Sequence, residues 1–89
     1  MQVSRITQNL REWDDYAKRH TLTAVPTSWE RRFLQNDPDA GEILRDGGSI
    51  GIDTFGAISV DGTKWTVISR RIFVRDKTGK LQIVFSFLW

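Results

Sequence analysis

Eighty-nine residues with 39% hydrophobic content, four Trp and five Phe make one domain, near the lower end of the size range in which a single core folds unaided. The absence of cysteine excludes disulfides and thiolate metal sites and fits a reducing, cytoplasmic setting, and no signal peptide or apolar run of membrane length is legible. The net charge of +2 hides an asymmetry: residues 1–56 carry seven Lys/Arg against nine Asp/Glu, whereas residues 57–89 carry six against two.

In chain order, Val3, Ile6, Leu10, Trp13 and Ala17 recur at helical spacing, which predicts a helix from about Arg5 to Arg19 with Ser4 as N-cap and Asp14/Lys18 and Arg11/Asp15 as i,i+4 pairs. The neighbouring carboxylates Asp14 and Asp15 diverge by about 100° on such a helix, so they read as a solvated face. His20, the single histidine, falls at the helix end, and Leu22 and Val25 are available to pack from the connector that follows. Thr27-Ser28-Trp29-Glu30 matches a capping box and starts a second helix with Trp29, Phe33 and Leu34 inward and Arg31, Arg32 and Gln35 outward. Asp37-Pro38 ends it and caps a short third helix carrying Ile43 and Leu44, which Gly47-Gly48 stops.

From Ser49 the period changes to two. Strands are expected near 57–60, 64–75 and 80–89, with a fourth near 49–54 weakened or bulged by Gly51 and Gly56. Asp61-Gly62 is a tight-hairpin signal: a two-residue turn sets Ile58 beside Trp65, whereas a three-residue loop sends Ile58 and Val60 to the core. The last two strands form a long hairpin about Asp76–Gly79. Pairing Arg75 with Lys80 gathers Ile68, Ile72, Val74, Leu81, Ile83, Phe85, Phe87 and Trp89 on one face, the core face, with Arg70 among them in need of a partner. The expected fold is α+β: a single domain of two or three N-terminal helices, within about 4–47, packed on one face of a three- or four-stranded antiparallel β-meander, about 49–89.

The opposite face of the hairpin is mixed, and two functions follow from it. Arg71, Phe73, Arg75, Lys77, Lys80 and Gln82 interleave cations with an aromatic, as sheet-based nucleic-acid binders do, which predicts a small non-enzymatic nucleic-acid-binding protein. Trp65, Val67 and Leu88 form an apolar end that predicts instead a protein interface, either with a second copy across the open sheet face or with the target of an inhibitor or adaptor of the phage or mobile-element type, which that patch or the acidic second-to-third helix region would contact. No catalytic constellation, metal site or cofactor motif is legible: the Gly47-Gly48-Ser49-Ile50-Gly51 run lacks a following Gly-Lys-Ser/Thr, and Asp37, Asp39, Glu42 and Asp46 lack the alternation of a calcium loop.

Three resemblances touch parts of the chain. The element order resembles a winged helix, but the helix that would enter the groove holds Asp39, Glu42 and Asp46 against Arg45. Leu10-Arg11-Glu12-Trp13 and Gly62-Thr63-Lys64-Trp65 resemble fragments of small phage excisionases, from which the same acidic helix departs. Helices followed by a cationic sheet resemble small ribonuclease toxins of the RelE and colicin type, which implies ribonuclease activity as a third function, although no set of acid/base residues maps onto this chain.

Overall fold

The computed structural model describes residues 2–6, 9–19, 25–58, 61–62 and 65–88, with the backbone alone at 57, 58, 65, 67 and 68. Its elements are β1 (Gln2–Ile6), α1 (Leu10–Arg19), α2 (Ser28–Asn36), α3 (Pro38–Arg45), β2 (Ser49–Ile58), β3 (Trp65–Arg75) and β4 (Leu81–Leu88). The strands form one antiparallel sheet in the order β1-β4-β3-β2. Helices precede most of the strands, and the α+β class is the one expected. No helix among the described residues is long and apolar enough to cross a membrane.

The helix boundaries of the central segment follow from their caps. The Thr27 hydroxyl accepts from the Glu30 amide at 3.2 Å while a Glu30 carboxylate oxygen accepts from the Thr27 amide at 2.9 Å, which completes the capping box. Asp37 ends α2 and begins α3: one carboxylate oxygen accepts from the amides of Asp39 and Ala40, and Pro38 occupies the first helical position. At the other end of α3 the Gly48 amide bonds the Ile43 carbonyl at 3.0 Å and the Gly47 amide bonds Leu44 at 3.4 Å. With Gly47 at φ +91°, this is a Schellman motif, and it requires a residue free to adopt the left-handed region.

The N-terminus departs from expectation. Gln2–Ile6 is a strand paired with β4 from Gln2↔Leu88 to Ile6↔Val84, so the helix begins at Leu10 and Ser4 caps nothing. The helical period was carried there by Val3 and Ile6 alone, and so short an extension gains little in isolation, whereas β4 offers a row of backbone groups that β1 satisfies. Asn9, at φ +57°, makes the turn into α1; its carbonyl accepts from the Glu12 amide at 3.1 Å and its side chain bonds the Glu12 carboxylate.

The layering also differs from a single covered face. Ile72, Val74, Ile83, Phe85 and Phe87 pack with Ile52 against Leu34 and Ala40 of the α2–α3 layer. Phe73 and Val84, pointing the other way, pack with Leu81 against Ala17, Leu10, Trp13 and Tyr16 of α1 and against Ile6. The sheet is therefore sandwiched, with α1 on the face expected to be open. Ile72-Phe73-Val74 and Ile83-Val84-Phe85, apolar at consecutive positions, are the pattern of strands buried on both sides.

Register explains the remaining differences. Ile72 faces Phe85 and Val74 faces Ile83, two residues further along β4 than a simple four-residue loop gives, which preserves the assignment of faces. An irregularity between Val74 and Arg75 sets Arg75 opposite Leu81 and turns Leu81 to the α1 side, away from the face expected for it. The segment near 49–54 and the described start, 57–58, of the one near 57–60 are one strand, β2, irregular at Phe55/Gly56, and Ile58 lies opposite Trp65, the register of the tighter turn. His20, Leu22, Val60, Trp89 and the Ile68 side chain lie outside the described residues.

Candidate binding surface

The cations of the sheet are neutralised within the fold. Arg70, only 8% exposed, donates from Nε to Glu30 Oε2 at 2.9 Å, from Nη2 to the Val25 carbonyl at 2.9 Å and from Nη1 to Thr54 Oγ1 at 3.3 Å. Glu30 is fully buried and uses both oxygens, one for the helix cap and one for Arg70. The partner that Arg70 required is thus the capping residue itself, and every atom of the pair has a directed contact, the condition for tolerating buried charge.

On the opposite face, Arg71 lies over the rings of Trp13 and Tyr16, 5.2 and 4.9 Å from their centroids, and donates to the Tyr16 hydroxyl at 2.6 Å. Tyr16 in turn bonds the Asp53 carboxylate, which lies 3.6 Å from Arg71. Burial, and then the bond to Asp53, pushes the Tyr16 phenol above its ordinary value, so it serves as a donor rather than a base. Arg75 reaches Asp14 at 2.6 Å, and that hydrogen bond holds the Asp14 carboxyl below its ordinary range. Asp14 also takes the expected Lys18 contact, at 3.1 Å. These groups fasten α1 to the sheet.

The residues expected to contact nucleic acid are consequently not a free set. Phe73 is completely buried under α1 and presents no ring face to a base. Arg71 and Arg75 are engaged by α1 and β2 as described, and Lys77 faces Asp46 at 3.5 Å across an exposed pair. Gln82 donates to Asp76 at 2.8 Å, and Lys80 is exposed at the hairpin tip. Asp76 also accepts from the Thr78 and Lys80 amides and the Thr78 hydroxyl; these bonds, that of Thr78 first, lower its carboxyl to about 2. Of the apolar trio, Leu88 is exposed next to β1, while the side chains of Trp65 and Val67 lie outside the described residues.

Arginines outside any ion pair also lie on α2 and α3. No ion pair joins Arg31, Arg32 or Arg45 to a carboxylate among the described residues. Glu30 is the sole carboxylate within α2 and it is consumed by the cap and by Arg70, so Arg31 and Arg32 have no acidic neighbour one turn away. That deficit was legible: the sequence places Gln35 and Asn36, not acids, four residues beyond the two arginines.

Two apolar hollows flank α2 beside these arginines. One, of about 480 Å³, is lined by Pro26, Leu34, Leu44 and Ile50 with Arg31 and Arg45, and so runs from the helices to the outer strand β2. The other, of about 430 Å³, is lined by Trp29, Phe33 and Pro38 with Arg32 and Asn36. Trp29 remains 43% exposed although it stacks on Phe33 at 5.9 Å. Among the described residues no group of three His, Cys, Asp or Glu is placed to hold a metal ion. Apolar concavities rimmed by unpaired guanidinium groups suit a partner that is both apolar and anionic. The chain matches no protein-family model, no curated protein and no solved structure.

Proposed function

We propose that this chain is a non-enzymatic protein-binding module whose contact surface is the outer side of α2 and α3 together with the adjoining strand β2. The observation that carries the reading is the coincidence of the larger apolar hollow with Arg31 and Arg45, two cations with no carboxylate partner among the described residues, in a fold that neutralises its sheet arginines. Arginine beside an apolar concavity is the composition of interface hot spots. A photo-crosslinking side chain at Gln35, in the wall of the hollow, is expected to capture a protein partner in cells, and the same group at Lys80 on the hairpin tip is not. Adducts at position 80 alone, or at neither position, refute the assignment of the surface.

A second reading, nucleic-acid binding, is supported by the stripe Trp29, Arg32 and Asn36, which aligns an exposed indole with a guanidinium and an amide on one side of α2. It moves the contact from the hairpin to the helix. Binding of a fluorescent single-stranded oligonucleotide is expected to weaken steeply between low and physiological salt and to be lost in Trp29→Ala/Arg32→Ala. No binding at either salt concentration removes this reading.

A further inference from the structure

The outer edge of β2 gives the proposed protein-binding surface a specific mode of recognition. β2 ends the sheet order, and among the described residues no strand pairs with its outer side. Edge strands are ordinarily blunted by a lysine, a proline, a bulge or a charge turned inward. From Ser49 to Phe55 β2 pairs regularly with β3 and holds neither lysine nor proline; its one charge, Asp53, is turned inward but is already held by Tyr16 and Arg71 on the α1 side, and the irregularity of the strand, at Phe55/Gly56, only bounds this stretch. The other edge is shorter and occupied differently: β1 has five residues, and its Arg5 is clamped to Asp37 and to Asp39, the latter at 2.7 Å.

The β2 edge also borders the larger hollow. Ile50 projects into it opposite Leu34 and Leu44, with Arg31 and Arg45 at its rim. A strand added beside β2 runs about 4.8 Å away, and every second side chain falls on the face of Ile50 and Ile52. Those side chains enter the hollow. The intervening ones lie on the side of Phe55, which is 59% exposed and available for a cross-strand contact.

From this we infer that the module binds an extended segment of a partner protein by β-strand addition to Ser49–Phe55, the segment carrying apolar side chains at alternate positions and at least one carboxylate for Arg31 and Arg45. The inference rests on the protein-binding reading and specifies its ligand. Backbone hydrogen bonds supply affinity in this mode, and the pocket beside the edge supplies selectivity. The carboxylate follows from charge complementarity, because a neutral or basic segment leaves two guanidinium groups facing it without a counter-charge.

The test uses a library of random linear peptides displayed and selected on the whole chain, followed by titration of the isotope-labelled protein with a selected peptide. The expected sequences alternate apolar residues with others and contain Asp or Glu, and the bound peptide slows amide exchange within Ser49–Phe55. Arg31→Glu/Arg45→Glu, two exposed changes whose fold is checked by an unchanged melting curve, weakens binding about tenfold or more. Peptides with helical spacing that perturb α2 and leave the β2 amides unchanged overturn strand addition while leaving the protein-binding reading in place. A chain that selects no peptide and has the mass of two copies, with β2 amides protected, assigns the edge to self-association and overturns the inference. A monomer that selects no peptide overturns it as well.

Discussion

The pair Glu30–Arg70 lets the helical layer and the sheet be tested against each other. Arg70→Met removes three donated hydrogen bonds, at 2.9, 2.9 and 3.3 Å, and leaves the fully buried Glu30 carboxylate with the Thr27 amide as its remaining partner. Breaking one side of a buried ion pair costs about 3–5 kcal/mol, a large share of the roughly 4–13 kcal/mol that a chain of this length has in total. Glu30→Leu removes the cap bond as well as the charge partner, adding about 1 kcal/mol for the frayed start of α2 and leaving Arg70 buried and unneutralised. The double variant Glu30→Leu/Arg70→Met leaves neither charge, so only the lost cap and imperfect packing remain. It is expected to be more stable than either single variant, with a coupling of several kcal/mol. Urea unfolding followed by tryptophan fluorescence measures all four proteins, with the slope checked for constancy before midpoints are compared. Single variants within about 1 kcal/mol of the parent, or a double variant equal to the sum of the singles, would falsify the assignment of this pair as a buried, interdependent contact.

Three further outcomes are expected. Asp76, held at about 2 by Thr78, Gln82 and the loop amides, has a folded value below the unfolded one of about 3.9. Its contribution is therefore complete above about pH 4 and lost as pH falls toward 2, so the stability gap between parent and Asp76→Asn narrows across that window; a gap independent of pH contradicts it. Gly48→Ala places a Cβ 2.6 Å from the Arg75 carbonyl and 2.7 Å from Ile43, contacts that backbone atoms cannot relieve, and costs about 1–3 kcal/mol by thermal unfolding. An unchanged melting temperature refutes that close approach. Tyr16→Phe deletes the hydroxyl shared by Asp53 and Arg71 and costs about 1–2 kcal/mol. Because the folded phenol titrates above its ordinary value of 10.0, the parent loses stability as pH rises beyond that value, and the variant lacks this step.

The elements legible in the sequence are those whose causes are local. Thr27-Ser28-Trp29-Glu30, Asp37-Pro38 and Gly47-Gly48 each specify a cap through residues within a few positions of one another, and each forms as written. The core face of the hairpin was legible because strand alternation survives a shift of two residues, which is what separates the expected pairing from the observed one. Leu81 fell on the other side because an irregularity shifts alternation by one, and nothing in its own chemistry marks it. β1 was hidden because its stability comes from β4, far along the chain, while Val3 and Ile6 also fit a helical stripe. The internal pairing of the hairpin cations was hidden for a related reason. Arg71 and Arg75 form a cationic patch only if Asp53 and Asp14 lie elsewhere, and those partners come from other elements. Arg31 and Arg32 are the reverse case, since the want of an acid one turn away from them is written in the segment itself.

The pairing of β1 with β4 makes the fold nearly circular. The caps, the short helix pair and the β2–β3–β4 meander are built from contacts close in sequence, which close small loops. β1 is the exception: its partner Leu88 belongs to the last strand, so the earliest residues of the described chain are enclosed by the latest. Gln2 and Leu88, opposite each other across a strand pair, have Cα atoms about 5 Å apart. A short linker between them and a new opening at Gly79, an exposed loop glycine at φ +86° with open space around it, keeps the residues of every strand pair, makes β1–β4 a local hairpin and makes β3–β4 the long-range pair instead.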